Sequence, residues 1–144
     1  MSKLFLCLIL FLSLYNCETY EGVKVYEIQR NVNGLNEVSI NVAKGDEFAL
    51  KFRGNPTTGY IWVLLNPEEV DGPLQGTNFE SDGIADYIAD SNDKLLIGGS
   101  GSFYYKFKAV KSDAEAKALK FSYRRTWEKV NNGLPDAVVK ITVS

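Results

Sequence analysis

In residues 47–65, EFALKFRGNPTTGYIWVLL, Phe48, Leu50 and Phe52 stand at every second position, the period of a strand with one face on a core. Pro56 and Gly59 interrupt that pattern, and Tyr60 to Leu65 resumes it as a second apolar run. Proline presets φ near -65° and glycine admits φ > 0, so Asn55 to Tyr60 is predicted as a stiff turn between two strands. The chain is therefore read as β structure from its middle outward.

The same alternation continues on both sides. Val38, Ile40 and Val42 precede it, while Phe103, Tyr105 and Phe107, then Leu119, Phe121 and Tyr123, then Val139, Ile141 and Val143 follow it. Tyr20 to Ile28 supplies a further strand near the beginning. Between these runs sit the usual breakers: Lys44-Gly45-Asp46, Asn66-Pro67, Gly72-Pro73, Gly98 to Gly101, and Asn131-Asn132-Gly133 with Pro135. Ser112 to Leu119, SDAEAKAL, reads as barely two helical turns and is expected to be a connection between strands. Seven to eight short strands at this spacing predict an all-β, immunoglobulin-like sandwich, without the Cys-Trp-Cys hallmark of antibody domains.

Composition narrows the function. With 45% hydrophobic and 24% charged residues in 144, the chain has the make-up of one globular domain. A net charge of -2 leaves no basic surplus to neutralise phosphates, so a nucleic-acid partner is not expected. There is no histidine, which removes Ser-His and Cys-His couples, histidine metal ligands, and any side chain that ordinarily titrates between about pH 5 and 8. No catalytic residue, metal site or cofactor is expected. The carboxylates Glu68, Glu69, Glu80, Asp82 and Asp86 fall in polar connecting stretches, where acids are ordinarily just solvated.

The N-terminus has its own logic. Lys3 followed by the apolar run Leu4 to Leu14 has the outline of a signal peptide and is too short to span a bilayer. Residues 1–17 are read as that signal, with cleavage between about Cys17 and Tyr20, and 18–144 as the domain. Leu14-Tyr15-Asn16-Cys17 also matches the L-x-x-C outline of a lipoprotein box, but lacks the small residue usual before the cysteine. Both cysteines, Cys7 and Cys17, belong to this region, so the domain is expected to hold together without a disulfide. Secretion, or delivery to the lumen of the secretory or lysosomal pathway, follows, with no membrane association once the signal is removed.

Three segments stand out. Asn55-Pro56-Thr57-Thr58-Gly59-Tyr60 is read plainly as a strand-connecting turn, yet its stiff ends display two hydroxyls, as a preorganised binding loop needs. Gly98-Gly99-Ser100-Gly101 lacks the Lys-Ser/Thr and the following helix of a phosphate loop, which leaves a hairpin connection or a close backbone approach to a partner. In Tyr123-Arg124-Arg125-Thr126-Trp127-Glu128 the tryptophan either caps the core or stands exposed as a binding anchor.

In this order the three segments resemble the motifs of the chagasin family, inhibitors of papain-type cysteine peptidases. The likeness runs from about Val38 to Val143, and Asn-Pro-Thr-Thr-Gly-Tyr with Trp62 two positions on is its specific part. The resemblance implies an immunoglobulin-like sandwich whose three loops at one end plug the protease cleft. Asn55, Pro56, Thr57, Thr58, Gly59 and Tyr60 would form the central loop, with Thr57 nearest the protease's cysteine. Gly98, Gly99, Ser100 and Gly101 would form the second loop, and Arg125 with Trp127 the third. Two motifs depart from the family pattern. Gly-Gly-Ser-Gly stands for Gly-x-Gly-Gly, and Thr126 replaces the proline of Arg-Pro-Trp, which frees φ and is expected to soften the third loop. A tight-binding, reversible, monomeric inhibitor is the expectation. The alternative is a secreted carbohydrate-binding or adhesion module that uses Trp62, Trp127 and the Tyr104-Tyr105 pair as stacking platforms.

Overall fold

The computed structural model describes residues 18–29, 36–70, 76–90, 100–128 and 135–144. The predicted signal at 1–17, with Cys7 and Cys17, lies outside these residues, as do Gly98 and Gly99.

Six of the seven predicted strands form as read, the seventh divides into two, and two short strands join them among the described residues. In chain order they are β1 (Thr19–Tyr20), β2 (Val23–Ile28), β3 (Asn36–Val42), β4 (Glu47–Gly54), β5 (Ile61–Leu64), β6 (Phe79–Glu80), β7 (Asp86–Ala89), β8 (Gly101–Ala109), β9 (Asp113–Arg124) and β10 (Ala137–Val143). One sheet runs β1-β2-β4-β8-β6, with β7 also paired to β8, and the other runs β3-β10-β9-β5. The fold is the expected all-β, immunoglobulin-like sandwich. Its core is the set of alternating residues read above: Phe48, Leu50 and Phe52 from one sheet meet Leu119, Phe121, Val139 and Ile141 from the other, all essentially without solvent contact. Phe52 sits at the centre, its ring 4.6 Å from both Trp62 and Phe121. Burial of one such side chain contributes about 2–3 kcal/mol, so this two-sided face needs no staple to hold.

Two expectations at the strand level need correction. Ser112 to Leu119 is not a helical connection, because β9 begins at Asp113. The first half of β9 pairs with β10, Lys117 opposite Ile141 and Asp113 opposite Val143, but β5 reaches only Phe121 to Arg124. Paired on one side only, residues 113–118 stay largely solvated, so their sequence shows no core alternation, and the ladder to β10 overrides local propensity. Tyr20 to Ile28 is not one strand but the hairpin β1–β2. Its turn residues, Glu21 at φ 50° and Gly22 at φ 82°, both take the positive φ of a type I′ turn.

The register gathers several chain ends at one end of the sandwich. Gly54, the last residue of β4, lies opposite Gly101, the first of β8, and Ala89 at the end of β7 lies on the other side of the same glycine. Ile61 at the start of β5 lies opposite Arg124 at the end of β9. Asn55 to Tyr60, Ser100 just before Gly101, and the segment after Arg124 therefore lie side by side.

Candidate functional site

The central loop organises itself through its first residue. Pro56 to Thr58 curl into a single 3-10 turn that Asn55 caps, its Oδ1 accepting the Thr57 backbone N–H at 3.1 Å and the Thr57 hydroxyl at 2.5 Å. The Thr58 hydroxyl donates to the Asn55 carbonyl oxygen at 2.7 Å. Gly59 closes the turn at φ 85°, its N–H bonded to the Pro56 carbonyl at 2.9 Å. Both threonine hydroxyls thus spend their single proton inside the loop. Each keeps acceptor lone pairs and a methyl group for a partner, and both residues are exposed at the tip.

The third segment is clasped onto the first. Arg125 Nε donates to the Thr58 carbonyl oxygen at 2.9 Å, and its guanidinium lies 4.6 Å from the centre of the Tyr60 ring. Glu128 braces the same guanidinium at 3.2 Å, while the Glu128 N–H bonds the Arg125 carbonyl to close a turn. Trp127 covers Gly59 so closely that a Cβ there would collide with the indole. The tryptophan is nonetheless 71% exposed, so it does not cap the core. The softening expected from Thr126 is opposed by these side-chain contacts. Asn55, Thr58, Tyr60, Tyr123 and Arg125 surround a recess of about 380 Å³ between the two segments.

The glycine side is built differently. Gly101 is not a loop residue: it is buried in β8, where a Cβ would run into the Tyr87 ring and the Ile88 carbonyl. Ser100 is exposed, and its carbonyl accepts the Asp90 N–H at 3.1 Å. Arg53, just before the central loop, grips Asp90 with both ends of its guanidinium, Nη1 to Oδ1 at 2.6 Å, and also reaches Ser102 Oγ at 2.8 Å. Those hydrogen bonds hold the Asp90 carboxyl below its usual range. Arg53 and Asp90 were not singled out in the sequence, since an isolated Arg and Asp 37 residues apart give no signal.

Of the four stacking platforms of the carbohydrate alternative, Trp127 is exposed and Tyr104 is half-buried under the Tyr20 ring, while the other two are buried. Trp62 and Tyr105 are each only 2% exposed; the Trp62 indole N–H bonds the Arg53 carbonyl, and the Tyr105 hydroxyl bonds the Trp62 carbonyl.

Comparison with known proteins decides the family. The model described as Chagasin family peptidase inhibitor I42 matches residues 41–143. This chain belongs to the chagasin family. The family works by inhibition, so the protein is not an enzyme. Among sequences, this chagasin-family chain is 29% identical to Amoebiasin-1 of Entamoeba histolytica over 92 residues, 64% of this chain and 78% of that protein. Among structures, it is similar to the cysteine protease inhibitor EhICP2 from Entamoeba histolytica, with a TM-score of 0.53, 18% identity, and coverage of 83% of this chain and 96% of that one. It is also similar to PbICP-C, solved in complex with falcipain-2, with a TM-score of 0.53, 20% identity, and coverage of 83% and 98%. At these identities the structural likeness shows the sandwich fold.

Proposed function

We propose that this chagasin-family chain inhibits papain-type cysteine peptidases tightly and reversibly, as a monomer, by seating Asn55 to Tyr60 in the active-site cleft. Arg125 and Trp127 would lie against the cleft on one flank and Gly98 to Ser100 on the other. The observation that carries this reading is the central loop itself: exposed at its tip, internally hydrogen-bonded through Asn55, and clasped by Arg125 and Trp127. EhICP2 is itself a cysteine protease inhibitor, and PbICP-C was captured on falcipain-2, which supports the same class of partner here.

The mechanism follows from what the loop offers. A cysteine peptidase attacks a carbonyl held in its oxyanion hole, so an inhibitor must fill the cleft without placing a scissile bond there. A closed 3-10 turn presents its side, with the Thr57 and Thr58 methyls excluding water and their oxygens accepting from cleft donors. Because the turn is already formed, docking orders little new backbone. Nanomolar affinity needs about 12 kcal/mol, more than one turn supplies, so the flanking segments must add area.

Residues 1–17 are proposed as a signal that sends the domain into the secretory pathway or outside the cell. Lys3 and the apolar run from Leu4 to Leu14 support this. The defining experiment is an active-site titration of papain with the 18–144 domain. Stoichiometric, substrate-competitive inhibition is the expected result. Binding to a sugar without any inhibition would contradict it.

A further inference from the structure

We propose that Tyr123 is a positioning residue for the inhibitory loop, an assignment that rests on the cleft-seating role of Asn55 to Tyr60. Tyr123 lies in β9 beneath that loop, and its phenol oxygen accepts the Asn55 backbone N–H at 3.0 Å. Its ring lies 5.3 Å from the Tyr60 ring and 5.2 Å from the Trp62 ring, and 3.0 Å from where a Cβ of Gly54 would stand. One side chain therefore touches both the entry and the exit of the loop. Asn55 is also the residue whose Oδ1 and carbonyl hold Thr57 and Thr58, so fixing its backbone fixes the cap on which the turn depends.

The strand end that carries the ring is itself held in place. Asp136, beside the start of β10, accepts the Tyr123 N–H at 2.7 Å and the Ser122 hydroxyl at 3.1 Å, which ties this strand end to the core. Two residues on, Arg125 reaches the Thr58 carbonyl. The end of β9 thus grips the loop at its first residue and at its tip. Without the phenol oxygen, the Asn55 N–H loses this anchor and the loop gains competing shapes, so apparent affinity falls with the fraction still shaped for the cleft.

Tyr123→Phe keeps the ring stack and removes the hydroxyl that accepts the Asn55 N–H. Tyr105→Phe is the control, since its buried hydroxyl bonds the Trp62 carbonyl and makes no contact with the loop. In the 18–144 domain, Tyr123→Phe is expected to weaken papain inhibition about fivefold. It is also expected to speed hydrogen exchange of the Asn55 amide about tenfold or more while β4 core amides hold their rates. Tyr105→Phe is expected to lower the melting temperature without changing either readout. Unchanged inhibition by Tyr123→Phe overturns the assignment, as does weakened inhibition with Asn55 exchange unchanged, or equal weakening by both variants. A parent domain that fails to inhibit papain overturns the cleft reading itself, a result distinct from all of these.

Discussion

The two flanks of the central loop are secured by different physics. On one side Arg125 and Trp127 fold back over Thr58, Gly59 and Tyr60, so the first and third segments form one packed unit. On the other, Gly101 is placed by strand pairing beneath Tyr87, and Arg53 with Asp90 forms an ion pair across the base, both side chains nearly half exposed. Packing against a neighbour is lost when one side chain is truncated. An exposed ion pair is worth only about 0–1 kcal/mol, so its loss should barely register. The inhibitory end is therefore expected to be stiff through its aromatic flank and tolerant on its glycine flank.

The largest effect should come from Thr57→Glu. A bulky charge at the tip would clash with the cleft and bury an unpaired carboxylate, so inhibition of papain should fall at least about a hundredfold while circular dichroism and melting stay those of the parent. Next comes Trp127→Ala, which removes an exposed indole and uncovers Gly59. About thirtyfold weaker inhibition is expected, roughly 2 kcal/mol, with little loss of thermal stability because the ring is outside the core. Equal, small losses from Trp127→Ala and Asp90→Asn would break the distinction between the flanks.

Asp90→Asn and Ser100→Ala mark the tolerant flank. Each should change the inhibition constant by less than about threefold, measured in the same titration. The smallest effect is that of pH. With no histidine, and with Asp90 lowered by the Arg53 hydrogen bonds, the ion pair is complete above the usual carboxylate range and is lost only as pH falls below it. Inhibition, corrected for the protease's own profile, should therefore be flat from about pH 7.5 to pH 5. A tenfold change in that window would require a titrating group that this flank does not supply.

Much of the fold was legible because most strands bury one face, so Phe48, Leu50 and Phe52 or Val139, Ile141 and Val143 announce themselves by period two. Residues 113–118 did not, since a stretch paired on one side and open to water carries no such imprint. The stiffness of Asn55 to Tyr60 was readable from proline and glycine. The fate of the threonine hydroxyls was not, because it depends on the curl that brings Asn55 Oδ1 over Thr57. Nor could spacing reveal Tyr123 beneath Asn55, 68 residues away, or Trp127 over Gly59. Those contacts exist only once β5 and β9 are paired.

The central claim is that the packed unit of the first and third segments enters the catalytic cleft. Binding of the 18–144 domain to active papain, compared by calorimetry with binding to papain whose active-site thiol carries a bulky covalent blocking group, tests this most directly. The account predicts tight one-to-one binding to the active enzyme and none detectable to the blocked one. Equal affinity for both would place the contact outside the cleft and contradict it.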